Sequence, residues 1–240
     1  PAKLNLFLHV VGRRDDGYHL LQSPFVLIDW ADTVHVERLD DGRLERVDLG
    51  PSLPADDLCL RAARALQRAA GCPLGVRISI DKQLPWGAGL GGGSSDAATV
   101  LLALNRLWNL NWPRTRLLEL AATLGADVPF FVGGHNAFVE GIGERLTPMR
   151  LPQAWYAVLK PAASLPTAAI FASPLLQRDT EAVIVTGSLA DALGQSSLLT
   201  SVSRGDCRNG SDCGSWAARF IEEVMHGHGH NDLQPAAEAE

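Results

Sequence analysis

Residues 85–98 read Pro-Trp-Gly-Ala-Gly-Leu-Gly-Gly-Gly-Ser-Ser-Asp-Ala-Ala, and the interpretation of the whole chain starts from this stretch. Five of its first nine residues are glycine. Glycine has no Cβ and adopts positive φ readily, so the backbone N–H groups of such a run can surround an anion. A helix predicted to begin near Ser94 adds the positive end of its dipole. The stretch therefore predicts a loop that binds phosphate.

The predicted loop is expected to act as one unit, and its binding residues are Pro85, Gly87, Gly89, Leu90, Gly91, Gly92, Gly93, Ser94 and Ser95. One of the two serines is expected to cap the helix or to turn its hydroxyl toward a phosphate or a phosphate-bound Mg²⁺. The alternative is a flexible Gly/Ser linker. A strand pattern before the loop and an amphipathic helix pattern after it disfavour that alternative.

Three well-known glycine loops fit this stretch poorly. The dinucleotide-binding fingerprint needs a strand that runs straight into the turn and an acidic residue about 20 positions later. Here residues 82–86 intervene, and residues 109–113 contain no acid. A Walker A loop ends in Gly-Lys-Ser/Thr, and no lysine follows these glycines. The HRD and DFG motifs that accompany a protein-kinase loop are also missing from the sequence.

The composition is that of an ordinary globular protein, with 240 residues, 46% apolar and 20% charged residues, and a formal net charge of −6. The negative charge argues against a nucleic-acid-binding surface. No apolar run is long enough to span a membrane, and no signal-peptide pattern opens the chain. The four cysteines form no CxxC pair, which favours reduced thiols and a cytoplasmic location. Monomer and homodimer both stay open.

The pattern Pro-x-Gly-x-Gly-Leu-Gly-Gly-Gly-Ser-Ser-x-Ala-Ala resembles the phosphate loop of the GHMP kinases, the superfamily of galactokinase, homoserine kinase and mevalonate kinase. It looks most like the branch of 4-diphosphocytidyl-2-C-methyl-D-erythritol kinases of the non-mevalonate isoprenoid pathway. Residues 1–8, Pro-Ala-Lys-Leu-Asn-Leu-Phe-Leu, and residues 124–131, Leu-Gly-Ala-Asp-Val-Pro-Phe-Phe, are similar to two further motifs of that branch.

Two catalytic residues are implied by this resemblance. By residue type and position alone, Lys3 is a solvent-facing strand residue and Asp127 is a cap or turn former. In the family, the lysine of the first motif lies in the catalytic site and the aspartate of the second is the proposed base for the substrate hydroxyl. We therefore expect Lys3 and Asp127 to be catalytic, with Lys3 keeping Asp127 ionised by proximity.

A substrate pocket is implied by two more segments that resemble the family, Asp-Gly-Tyr-His at 16–19 and Leu-Pro-Thr-Ala-Ala-Ile-Phe at 165–171. The residues alone predict a hairpin turn followed by a half-buried tyrosine, and a core position for Phe25. The resemblance implies that Phe25 and Phe171 face each other across the cytosine ring. The full set of expected substrate-binding residues is Asn5, Tyr18, His19, Phe25, Thr167 and Phe171.

The fold expected by analogy is α+β, a two-lobe GHMP-kinase-like fold of mixed sheet and helices. We expect an ATP-binding domain over residues 1–150 and a partial substrate lobe over 151–240, in which 181–230 is divergent and a candidate for disorder. The lobe is expected to be incomplete because a second glycine motif of the family is missing. Alternation and helical periodicity predict strands over 1–11, 26–36, 43–49, 76–80 and 155–160, and helices over 56–70, 94–108 and 114–124.

The function implied is ATP-dependent phosphorylation of the 2-hydroxyl of 4-diphosphocytidyl-2-C-methyl-D-erythritol, with ATP and Mg²⁺ as cofactors and no metal site built from protein side chains. Two alternatives stay open. Another small-molecule GHMP kinase is disfavoured by Asp-Gly-Tyr-His at 16–19. A catalytically impaired nucleotide-binding fragment is favoured by the divergence of residues 181–240.

Overall fold

The structure is a computed structural model that describes residues 1–151, 154–160, 167–182 and 231–238. The chain forms two compact units, and each is built from separate stretches of sequence. The first unit comprises Pro1–Leu4 and Leu27–His135, and the second comprises Asn5–Val26 and Asn136–Glu240. This division does not follow the boundary near residue 150, which stays a prediction. The predictions for 183–230 lie outside the described residues.

The first unit contains the glycine-rich stretch, and it combines a three-stranded sheet with four helices in the described residues. All but the last residue of β1 also belongs to it. Its elements are β1 (Ala2–Asn5), β4 (Thr33–Leu39), β5 (Leu44–Asp48), α1 (Leu58–Ala70), β6 (Gly75–Asp81), α2 (Gly92–Leu107), α3 (Arg114–Ala122) and α4 (Val128–Gly133).

Strand β6 is the central strand of this sheet. It pairs antiparallel with β4 and parallel with β5, so the two strands predicted around the turn at residues 40–42 are not neighbours. Its alternate residues Val76, Ile78 and Ile80 are almost fully buried. Strand β6 therefore lies between β4 and β5, with one buried face and a hydrogen-bonded neighbour on each edge.

Helix α1 ends at its predicted residue, Ala70, and begins at Leu58, two residues after its predicted start. The side chain of Asp57 accepts a hydrogen bond from the Leu60 N–H at 3.1 Å, and Gly71 ends the helix in the left-handed region with φ 57°. Helix α3 ends at Ala122, two residues before its predicted limit. Residues 128–133 form α4, a helix that the sequence analysis did not predict.

Helix α2 begins two residues earlier than predicted. Its N-cap is Gly91, and no side chain caps it. The Ser95 N–H already donates to the Gly91 carbonyl at 2.9 Å. The expectation that Ser94 or Ser95 caps the helix was therefore wrong, because both serines lie inside its first turn.

The second unit is built on an antiparallel sheet in which β3 pairs with β2 and β7, and β7 pairs with β8. Its elements are β2 (His9–Arg13), β3 (His19–Ile28, which continues into the first unit), β7 (Ala137–Gly141), β8 (Arg145–Pro148), α5 (Thr167–Ala172) and α6 (Gln234–Glu238).

Three strand predictions were wrong. The strand expected over residues 26–36 is divided at residues 29–32, between the end of β3 and the start of β4. The strand expected over residues 1–11 is divided into β1 and β2, because the chain leaves the extended ladder at residues 6–8, where Phe7 is buried and stacks on His9. The strand expected over 155–160 is absent from the described residues. Trp155 and Leu159 are fully exposed there, so the apolar alternation reflects no buried face.

Candidate functional site

The glycine loop is held between two buried leucines, Leu84 before it and Leu90 near its end. Three of its glycines take positive φ, with values of 63°, 71° and 71° at Gly87, Gly89 and Gly91. L-residues with a Cβ rarely adopt this region. Nothing lies within 4 Å of the position that a Cβ would take on Gly89, so this part of the loop is open to a ligand.

The end of the loop lies against Lys3 and Phe131. A Cβ on Gly91 would approach the Phe131 ring to 2.8 Å and the Lys3 Cγ to 3.2 Å. The Lys3 N–H donates to the Leu90 carbonyl at 2.9 Å. The sequence-distant β1 therefore fixes the point where the loop enters α2.

The start of α2 presents donors of a kind that suits phosphate. Gly93 is exposed, Ser94 is half-buried and Ser95 is buried. The 16-residue helix directs its positive end and its first backbone N–H groups toward the loop. The open glycines and this helix end fit the polyphosphate of a nucleotide, and the Ser94 hydroxyl is the more accessible of the two serine hydroxyls.

Lys3 and Asp127 meet in the same unit, with 3.7 Å between Lys3 Nζ and Asp127 Oδ2. The lysine side chain is 8% exposed and the aspartate side chain 32% exposed. Burial lowers the pKa of Lys3, and the charge of Asp127 and its hydrogen bond oppose that shift. Asp127 directly precedes α4, and the short helix sets its position. A partly exposed carboxylate beside a buried ammonium is suited to accepting a proton from a hydroxyl.

A second buried ion cluster lies at the loop, and the sequence analysis missed it. Lys82 Nζ contacts the carboxylates of Asp32 and Asp96, with 2.8 Å to Asp96 Oδ2. Burial raises the pKa of Asp96 to about 6, although Lys82 opposes the shift. Burial also acts to lower the pKa of Lys82, but the two carboxylates outweigh it and the net shift is upward. The sequence feature that could have indicated this cluster is Asp96, which directly follows Ser94 and Ser95.

The second unit contains a cavity of about 510 Å³, lined by Arg13, Asp16, Gly17, Tyr18, His19, Leu21, Ile142, Phe171 and Ala172. The rings of His19 and Phe171 are stacked, with centroids 5.1 Å apart and planes at 27°. Tyr18 is 61% exposed, so one wall is open to solvent. Three of the six predicted substrate-binding residues thus line one cavity. Tyr18 and His19 are consecutive, and Phe171 is far from them in sequence.

Of the other three predicted substrate-binding residues, Asn5 and Phe25 do not line this cavity, and the side chain of Thr167 lies outside the described part of the structure. Asn5 donates to the Ser23 hydroxyl at 2.9 Å. Phe25 is buried in β3 and is not among the residues that line the cavity. The backbone of Thr167 begins α5, and its side chain lies outside the described part of the structure. The roles of these three residues stay predictions.

Arg178 is a cavity-side residue that the sequence analysis also missed. Its guanidinium donates to the ring of His19 and to backbone carbonyls next to Phe171. A single arginine after a region of weak pattern gives no signal in the sequence, because only the folded chain brings it to residue 19.

Comparison with known proteins identifies the family of this chain. The family described as GHMP kinases N terminal domain matches residues 57–135, which span the glycine loop and Asp127. A 4-diphosphocytidyl-2-C-methyl-D-erythritol kinase of Methylibium petroleiphilum is 70% identical over 202 residues, covering 83% of this chain and 70% of its own length. The chain belongs to the family of 4-diphosphocytidyl-2-C-methyl-D-erythritol kinases.

Two further comparisons agree with this membership. The protein of the same name from Albidiferax ferrireducens is 53% identical over 231 residues, with 95% of this chain and 80% of the relative covered. A crystal structure of 4-(cytidine 5'-diphospho)-2C-methyl-D-erythritol kinase aligns with a TM-score of 0.68 at 35% identity, over 100% of this chain and 76% of that one. The resemblance to GHMP kinases and the α+β fold are thus confirmed.

The described residues show neither a membrane-spanning helix nor a cluster of metal-ligating side chains. None of their helices combines the length and the apolar character needed to cross a membrane. Nor do three or more His, Cys, Asp or Glu side chains gather in a metal-binding arrangement within this part of the chain.

Proposed function

We propose that this protein transfers the γ-phosphoryl group of ATP to the 2-hydroxyl of 4-diphosphocytidyl-2-C-methyl-D-erythritol, in the synthesis of isoprenoid precursors. The observation that carries the proposal is the Lys3–Asp127 pair at the end of the glycine loop, where Lys3 also bonds to Leu90. The names of the relatives supply the substrate. The geometry supports the proposal with a glycine loop that is open at Gly89 and a partly exposed carboxylate at Asp127.

The glycine loop and the start of α2 would hold the phosphates of ATP, which supplies the phosphoryl group. Backbone N–H groups of residues 87–93 would donate to phosphate oxygens, and the helix end would favour their negative charge. Mg²⁺ would neutralise part of the phosphate charge, and the half-buried Ser94 would offer a hydroxyl to hold it. Asp96 is already paired with Lys82, so it is not assigned to the metal.

Asp127 would accept the proton of the attacking hydroxyl, and Lys3 would hold the carboxylate in place. Phosphoryl transfer through a loose transition state needs positioning and charge stabilisation more than covalent help from the protein. A carboxylate is then sufficient as the base, since the proton leaves late. The ammonium of Lys3 would also offset charge that develops on the transferring group.

The cavity of the second unit would bind the cytidine part of the substrate. Tyr18, His19 and Phe171 offer ring faces for stacking, and His19 also offers a ring nitrogen for hydrogen bonding. Stacking of a base on aromatic side chains typically contributes about 1–3 kcal/mol. Asn5, Phe25 and Thr167 are proposed as further substrate contacts on the resemblance alone.

A cytoplasmic location is also proposed. Cys59 and Cys72 are free thiols, and Cys59 is buried in α1. Reduced cysteines are usual in the cytoplasm.

The test is ADP formation from Mg-ATP and 4-diphosphocytidyl-2-C-methyl-D-erythritol by the parent protein and by Asp127→Asn. Loss of the base is expected to lower kcat by about 10²- to 10⁴-fold with little change in the KM for ATP. Asp40→Asn is the matched control, because Asp40 is an exposed carboxylate that pairs only with Arg38 among the described residues.

Full turnover by Asp127→Asn would contradict the assigned base. A parent protein that binds Mg-ATP but forms no ADP with this substrate would contradict the kinase function and favour the nucleotide-binding alternative.

A further inference from the structure

Arg178 joins two walls of the cavity in the second unit through its guanidinium. Its Nε–H donates to His19 Nε2 at 3.2 Å. One terminal nitrogen donates to the Leu176 carbonyl at 3.0 Å, and the other donates to the carbonyls of Phe171 at 3.2 Å and Ser173 at 2.8 Å. Arginine presents its N–H groups in a rigid fork, so these bonds fix the guanidinium in one orientation.

The bond from Arg178 determines where His19 carries its proton. An arginine cannot accept a hydrogen bond, so the histidine nitrogen that faces it must offer a lone pair. His19 is then neutral, and its other ring nitrogen, Nδ1, bears the N–H. A ring turned over would present Cε1 to Arg178 and lose this bond, so the bond also specifies which face of the ring carries the nitrogens.

The surroundings of His19 favour this neutral form. Burial lowers the pKa of His19, and the positive charges of Arg178 and Arg13 lower it further. Arg13 lies directly opposite His19 in the β2–β3 pair, and its own Nε–H donates to the Gly17 carbonyl. Asp16, the acidic residue in the cavity wall, is paired with Arg14 at 2.7 Å.

Arg178 also fixes the plane of the His19 ring. The ring stacks on Phe171, whose carbonyl Arg178 binds, so the two rings and the guanidinium form one connected unit. Among the described residues, no other hydrogen bond involves the His19 ring. The Nδ1–H donor is therefore available to a ligand in the cavity.

We propose that Arg178 is a positioning residue that locks His19 as an Nδ1–H donor and so makes the cavity select a pyrimidine whose ring nitrogen accepts a hydrogen bond. This inference rests on the proposed function of the cavity. Cytosine carries a lone pair on N3, whereas uracil carries N3–H at the same place. The fixed Nδ1–H of His19 can donate to N3 of cytosine, whereas in uracil it meets another donor, N3–H.

The tautomer is measured directly by ¹⁵N NMR of histidine-labelled protein at neutral pH. The chain has seven histidines, and the signal lost in His19→Gln assigns His19. The expected result is a neutral ring with the proton on Nδ1. A neutral ring with the proton on Nε2, or a charged ring, would overturn the proposal. This measurement needs no substrate and no turnover.

Two variants separate the hydrogen bond from the charge. In Arg178→Met the donor and the charge are both removed, so the Nδ1–H preference is expected to disappear and the pKa of His19 to rise. In Arg13→Met a nearby charge and a hydrogen bond to Gly17 are removed, but no hydrogen bond to His19 is lost, so the pKa of His19 is expected to rise while the Nδ1–H tautomer is kept. Equal tautomer populations in the two variants would contradict the role of Arg178.

Selectivity is measured as the ratio of kcat/KM for the cytidine substrate to kcat/KM for its uridine analogue. We expect Arg178→Met to lower this ratio about tenfold or more, because a ring free to change tautomer can accept from uracil N3–H. An unchanged ratio in a folded variant would overturn the selectivity. If the parent shows no turnover at all, the proposed function fails, whereas the tautomer spectrum still tests the lock.

Discussion

Asp96 shows how a buried charge can be built into the start of a functional helix. Its carboxylate contacts Lys82, and Lys82 also contacts Asp32. Asp32 in turn accepts hydrogen bonds from the backbone N–H groups of Gln83 and Leu84, at 2.6 and 2.8 Å. The cluster thus connects the segment before the glycine loop with the helix after it. Burial of the Asp96 carboxylate lowers the free energy of unfolding by an amount that depends on pH.

The substitution Asp96→Asn is expected to reveal that cost. The pKa of Asp96 is raised from 3.8 to about 6, so the folded state binds its proton more tightly than the unfolded state does. Stability from this group is present below the unfolded pKa and is lost as pH rises through the folded pKa. Relative to the parent, Asp96→Asn should therefore gain up to about 3 kcal/mol of unfolding free energy between acidic and neutral pH.

Urea unfolding of both proteins across this pH range checks the expectation. Thr99→Ala serves as the control, because it removes a hydroxyl that bonds to Ser95 on the same helix and adds no titratable group. Its difference from the parent should stay constant with pH. A difference for Asp96→Asn that is equally flat would show that the carboxyl does not titrate as the structure indicates.

At the scale of the element, the glycine loop and α2 are shaped by contacts from β1 and α4. Gly91 ends the loop with φ 71° in van der Waals reach of Phe131 on α4 and Lys3 on β1. Gly93, two residues later, is helical and meets only Leu58 Cδ1, at 3.8 Å from an added Cβ. Gly91 and Gly93, two glycines of one motif, therefore differ in how tightly the surrounding atoms exclude a side chain.

Alanine substitution separates these constraints. Gly91→Ala should lower the unfolding free energy by about 2–4 kcal/mol, since a Cβ adds left-handed strain and collides with the Phe131 ring. Gly93→Ala should leave it unchanged or raise it by about 0.5 kcal/mol, because alanine suits a helix better than glycine. Thermal melting compares the two variants, and equal losses would contradict the assigned packing of Gly91.

At the scale of the whole molecule, the two units are interleaved in sequence, because the chain leaves the first unit after Leu4 and returns to it at Leu27. The phosphate loop, Lys3 and Asp127 all belong to the first unit, and the cavity belongs to the second. We therefore expect the molecule to bind ATP without the second substrate.

Mg-ATP is expected to raise the melting midpoint of the protein. Ligand at about 100 times its Kd stabilises the folded state by about 2.7 kcal/mol, which corresponds to roughly 5–10 °C for a chain of this size. Removal of Mg²⁺ with EDTA should reduce the shift, and Asp127→Asn should keep it, because the base does not hold the phosphates. A midpoint that Mg-ATP leaves unmoved would contradict the assignment of the loop.

The sequence by itself determined the local features of this protein. Glycine spacing predicted a loop, which the structure shows open at Gly89, and apolar periodicity predicted α1 and α2 to within two residues of their ends. These features depend on neighbours a few residues apart, so they can be read directly from the chain. The resemblance of three motifs then identified the family, which the relatives confirm.

Only the tertiary structure decided which distant residues meet. It placed β6 between β4 and β5, buried Lys82 between two carboxylates, and brought Arg178 to a ring 159 residues away. It also moved the start of α2 to Gly92, because Gly91 adopts the left-handed conformation against Phe131. Such contacts depend on packing between elements, and no periodicity within one segment encodes them.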